Sequence, residues 1–192
     1  MMRLGTLTMV SATALALAAC GSKTDTTATT TNTTATTPMN DTAMAPMPAA
    51  TATGAQGFAN AMAASDAFEI ASSKLALTQA TSPAVKTYAT QMIAAHEKST
   101  AKLKTVATSL ATPLTPDPTL APDQQAMMDS MTAAQGSAFD AVYATNQTAA
   151  HQATLDKLKA YAATGDDAKL KELATGMVPI VTAHLNMAKK LK

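Results

Sequence analysis

Tryptophan is absent, and the remaining aromatic side chains, three Tyr and three Phe, are thinly spread over 192 residues. Arg3 is the only arginine, and 14 basic residues nearly balance 13 acidic ones. Without a basic stripe or aromatic platforms for base stacking, nucleic acid is excluded as a partner. The single cysteine, Cys20, rules out an internal disulfide framework. No alternating run of Val, Ile, Thr and Tyr marks a half-buried strand. No phosphate-cradling loop, hydrolase elbow or Cys/His pair is present, so an enzyme is not expected. What remains is rich in Ala, Met, Leu, Lys and Gln, residues that favour helix. The expected fold class is all-α.

Against this plain background one pattern occurs three times. His96, His151 and His184 are all the histidines in the chain. Each follows an alanine, and each precedes by seven residues the leucine of a Lys-Leu-Lys triplet: Leu103, Leu158 and Leu191. Seven residues are two helical turns, so each histidine shares a face with its leucine.

The first 19 residues read as an export signal, with Arg3 ahead of an apolar run, Leu4 to Leu17, too short for a typical membrane span. The run closes on Leu17-Ala18-Ala19-Cys20-Gly21, which resembles the lipobox of bacterial lipoproteins. That resemblance implies cleavage before Cys20, acylation at Cys20, and membrane attachment through that anchor; the alternative is an ordinary signal peptide with an incidental cysteine. Several acyl chains hold far more firmly than one. Gly21 after the cysteine resembles the pattern sorted to the outer membrane, facing the periplasm. Residues 20–56 then form a Thr/Ala/Pro-rich tether whose composition cannot offset its ordering entropy.

The globular part is expected over 57–192. A helix from about Phe58 to Ala80 places Phe58, Met62, Ser65, Glu69, Ser72 and Ala76 on one stripe, with Ile70 and Leu77 on a second. Ser82-Pro83 is an N-cap followed by proline at the first helical position. The helix that follows carries a seam through Val85, Ala89, Met92, His96, Ser99, Leu103, Val106 and Leu110. Pro113, Pro116, Pro118 and Pro122 stop it and stiffen a crossover, which carries a short helix from Asp123 to Ala134. Gln135-Gly136-Ser137 marks a break. A third long helix, about Ser137 to Ala163, aligns Asp140, Ala144, Gln147, His151, Leu155, Leu158 and Ala162. Gly165 ends it, and Asp166 or Asp167 caps the fourth, whose inward side holds Leu170, Leu173, Met177, Val181, His184, Ala188 and Leu191, with Pro179 placed to kink it. Tyr88-Ala89-Thr90 and Tyr143-Ala144-Thr145 lie at matching distances before His96 and His151. If the crossover returns the chain to its starting end, those two helices run parallel and their histidines are level. The architecture expected is a ferritin-like antiparallel four-helix bundle with one long proline-rich crossover.

These residues resemble an exported bacterial family called domain of unknown function 4142, placed in the ferritin-like four-helix clan. The resemblance is carried by Phe58 and Glu69, by Ser82-Pro83-Ala84-Val85-Lys86 with Met92 and His96, by Phe139-Asp140 with Tyr143 and His151, and by Pro179 and His184. It covers roughly residues 56–192 and implies a fold and an exported location, not a reaction. In the family pattern an Asp usually precedes the second- and third-helix histidines, where this chain has Ala95 and Ala150.

Two functions from different classes follow. In the first, Glu69, His96, His151 and His184 bind Zn²⁺, Cu²⁺ or Fe²⁺, with Asp140 and Met92 as secondary candidates, in a non-enzymatic, stress-related envelope lipoprotein. In the second, the lipoprotein is structural or interacts with a protein partner that the sequence does not identify. Its histidines only satisfy the core, bonded to neighbours such as Tyr88, Tyr143 or Asp140, and Glu69 pairs with a lysine. Di-iron chemistry has no support, since Glu-x-x-His is missing: Ile93, Thr148 and Val181 stand three before the histidines. Helix spacing puts His151 about 14 residues before its turn and His184 about 19 after it, a mismatch of roughly 7 Å that sets His184 apart.

Overall fold

The computed structural model describes residues 54–191. The signal, Cys20 and most of the tether lie outside these residues. Among the described residues no helix is long and apolar enough to cross a membrane. Five helices follow one another: α1 (Gly54–Gln79), α2 (Pro83–Thr108), α3 (Pro122–Ala133), α4 (Gly136–Thr164) and α5 (Ala168–Ala188). The bundle is of the ferritin-like kind, with the short α3 in its crossover.

The punctuation works as its chemistry requires. Ser82 accepts a hydrogen bond from the Val85 amide at 3.4 Å, and Pro83 opens α2. Asp167, not Asp166, caps α5 by accepting from the Leu170 amide at 3.0 Å. Gly136 takes a φ of 59° at the α3–α4 break, a left-handed conformation that an L side chain resists. Helix α1 begins at Gly54, ahead of the expected start near Phe58, and α5 continues through Pro179.

Side-chain bonds give the direction of each neighbour. Ser65 meets Thr154 at 2.8 Å and Ser73 meets Tyr143 at 2.9 Å, so α1 and α4 are antiparallel. Lys169 donates to the Ser109 carbonyl at one end of the α2–α5 pair, and the His96 and His184 rings meet further along it with centroids 5.6 Å apart, so these two are also antiparallel. Helices α2 and α4 therefore run parallel across the bundle. The crossover returns alongside α1, where Asn60 accepts from the Asp117 amide and Gln56 donates to the Thr115 carbonyl.

Ser99 and Val106 in α2, Ala144 and Ala162 in α4, and Leu191 are only half-buried, but the rest of the expected inward stripes is buried in all four long helices. The second stripe of α1 is not: Leu77 is 39% exposed, because the facing helices cover the Phe58–Ala76 side. The interior holds two apolar clusters. One contains Phe58, Met62, Leu103, Leu158, Leu170 and Leu173. The other contains Phe68, Val85, Met92, Met131, Phe139 and Tyr143. In α2 and α4 the histidine falls at the junction between the two, so the core is interrupted by a polar layer.

Candidate metal centre

His184 is level with the other two histidines, so the predicted offset is corrected. About 13 residues separate His151 from the end of α4, and about 16 separate the start of α5 from His184. The resulting difference in rise is roughly 4.5 Å rather than 7 Å, within the reach of an imidazole side chain. The three ring centroids lie 5.6 to 5.7 Å apart. One ligand atom from each of His96, His151 and His184 falls within 4.8 Å of the others.

Each ring is held by its own surroundings. His96 places Nδ1 at 2.8 Å from Oδ1 of Asp66, whose Oδ2 accepts from the Thr100 hydroxyl at 3.2 Å. The Nδ1–H is thereby committed to the carboxylate, and Nε2 is left buried with no partner. His151 donates Nδ1–H to the Gln147 carbonyl, one turn earlier, at 2.9 Å, and its Nε2 is likewise unpartnered. In His184 the buried nitrogen without a partner is Nδ1. Three unsatisfied nitrogens in one layer are costly, because a buried polar atom without a partner loses its hydration uncompensated.

Electrostatics separate the histidines. Burial favours the neutral ring and pushes His151 down to about 3 and His184 down to about 4, with the His96 charge adding in both cases. Burial alone would lower His96 as well. The Asp66 hydrogen bond, with the Glu69 and Asp66 charges, outweighs it and holds His96 above its ordinary value. Glu69 is raised to about 7, chiefly by burial, against the lowering effect of His96.

Glu69 is fully enclosed and pairs with no lysine. Its Oε1 lies 3.4 Å from Nδ1 of His151, on the ring side opposite Nε2, and its Oε2 has no partner. Helix α1 thus supplies a carboxylate behind each of two histidines, Asp66 behind His96 and Glu69 behind His151. Asp140 is placed elsewhere. It accepts from the Thr81 and Ser82 amides at 3.1 and 2.9 Å and from the Thr81 hydroxyl, fastening the α1–α2 turn to α4. Met92 is fully buried in the apolar cluster around Tyr88 and Phe139. Of the tyrosines offered as histidine partners, Tyr143 bonds Ser73 and the Tyr88 hydroxyl has no partner.

Asp66 is the residue that sequence reasoning missed. Its only signal was a spacing of three before Glu69, which puts both on neighbouring turns of one face. The donor set, three imidazoles with free lone pairs, suits Zn²⁺, Cu²⁺ or Fe²⁺. A carboxylate or carbonyl behind a ligating histidine fixes its tautomer and raises its basicity. Asp66 and the Gln147 carbonyl stand in that relation to His96 and His151.

A family model described as "Domain of unknown function (DUF4142)" matches residues 39–191. No curated protein matches in sequence. Among solved structures, CopM in the Cu(II)-bound form is similar with a TM-score of 0.58 and 18% identity, over 70% of this chain and 93% of that one. CopM in the Cu(I)-bound form gives 0.59 and 18%, over 72% and 95%. An Ag-bound form of CopM gives 0.56 and 18%, over 70% and 92%. At this identity the likeness shows the helical fold.

Proposed function

We propose that this chain, which belongs to the family described as domain of unknown function 4142, binds one copper ion through His96, His151 and His184. The observation that carries the reading is the convergence of three buried imidazoles, each with a partnerless nitrogen, to within 4.8 Å. A tetrahedral site with metal–nitrogen bonds near 2.0–2.1 Å needs ligand separations of about 3.4 Å. Small rotations of the rings, under about 1 Å at each nitrogen, bring them to that spacing. Copper is preferred among the three candidate ions on two grounds. Divalent copper binds imidazole sites most tightly in the first-row series. The similar CopM structures hold Cu(I), Cu(II) and Ag. Zn²⁺ and Fe²⁺ are the competing ions.

The protein's own contribution is to keep two of the rings neutral and to aim the third. Burial disfavours imidazolium at His151 and His184, and Asp66 orients His96 through Nδ1. The role is storage or handling of the ion rather than catalysis. The lipobox-like Leu17–Gly21 stretch supports export, acylation at Cys20 and attachment to the outer membrane on its periplasmic face.

Titration of the metal-free protein with Cu²⁺, Zn²⁺ and Fe²⁺ tests the reading. Copper is expected to raise the melting temperature until one equivalent is bound, with a gain of about 2.7 kcal/mol when free copper is a hundredfold above Kd. His96→Ala and His151→Ala each abolish the rise. No shift with any of the three ions contradicts a metal site.

A further inference from the structure

Three histidines would leave one position of a four-coordinate ion open, and a groove opens beside two of them. A groove of about 440 Å³ runs between α2 and α5, with His96 and His184 in its lining and His151 outside it. One wall is apolar, formed by Met177, Ile180 and Val181. Ile180 is 50% exposed, one of only two large apolar side chains so exposed among the described residues. Lys98 and Lys102 complete the lining on the α2 side. Neither ammonium pairs with a carboxylate among the described residues. Lys102 Nζ reaches across to α5, 4.0 Å from where a Cβ on Gly176 would stand.

Resting on the copper reading above, we propose that this groove takes a small amphipathic monocarboxylate. Its carboxylate fills the fourth coordination position, and its carbon chain lies on the Met177–Ile180–Val181 wall. The chemistry follows from three features in one place: two of the three histidines in the groove lining, two cationic side chains that favour an anion, and an apolar wall that water leaves unsatisfied. The size fits as well. The volume is that of a small-molecule site.

The test uses the full-length protein loaded with one equivalent of Cu²⁺, titrated with acetate and with hexanoate and read by the copper visible absorption. Hexanoate is expected to bind more than tenfold tighter than acetate, since each buried methylene contributes about fourfold. Ile180→Ser, at an exposed position that folding tolerates, shrinks that ratio and leaves copper uptake intact. Lys98→Ala combined with Lys102→Ala weakens both acids alike. A normal copper spectrum that neither acid perturbs overturns the groove proposal alone, as do equal affinities for the two acids. Hexanoate binding the metal-free protein equally well removes the coordination step and so overturns it too. Absence of any copper spectrum before acid is added overturns the copper reading itself.

Discussion

Asp66 and His96 stand 2.8 Å apart in a buried layer, and that single contact decides which nitrogen of His96 is free. Asp66→Asn keeps the volume but removes the charge, and it no longer selects the Nδ1–H tautomer. The expected result is a 10- to 100-fold loss of copper affinity with unchanged stoichiometry, measured by competition with a chelator of known strength. An unchanged affinity would mean that the pair serves the core alone. The inward direction of the histidines was legible in the sequence, because the seam from Val85 to Leu110 fixes which side of α2 is buried. Asp66 was not. Pairing across two helices depends on their rotation about their own axes, and a periodicity of one chain segment carries no information about the rotation of its neighbour.

At the scale of the helices, the parallel arrangement of α2 and α4 was readable from the repeated Tyr-Ala-Thr spacing and the proline crossover. The place of His184 was not, because a shift of two or three residues at a helix end changes its level by 3 to 5 Å. Asp140 shows the same limit from another side. It shares the buried stripe of His151, and the stripe alone does not say that three turns separate a ligand position from a cap. In the fold it ties Thr81 and Ser82 to α4. Asp140→Ala is therefore expected to cost roughly 2–3 kcal/mol of stability, the scale of hydrogen bonds to a buried charge. Urea denaturation measures the loss, and copper stoichiometry should be retained under native conditions. Loss of copper binding without loss of stability would instead place Asp140 at the ion.

For the molecule as a whole, the histidine layer is a cost that the fold carries. Between two apolar clusters, the more stabilising choice at His96 and His151 would be a well-packed aliphatic side chain, since that leaves no buried nitrogen unpaired. The bundle instead aligns three rings and backs two of them with carboxylates from α1. Local conflict of this sort with the rest of a consistent design is where function is expected. Composition, helix punctuation and inward stripes conveyed the bundle well. The meeting of the three rings was not legible there, because it is set jointly by four helix ends and three side-chain rotamers. The most direct measurement is pulsed electron paramagnetic resonance on the protein loaded with one equivalent of Cu²⁺, counting coordinated imidazole nitrogens. Three are predicted, falling to two in His184→Ala. Copper bound with one imidazole or none, or a count unchanged by that substitution, would contradict the three-histidine site.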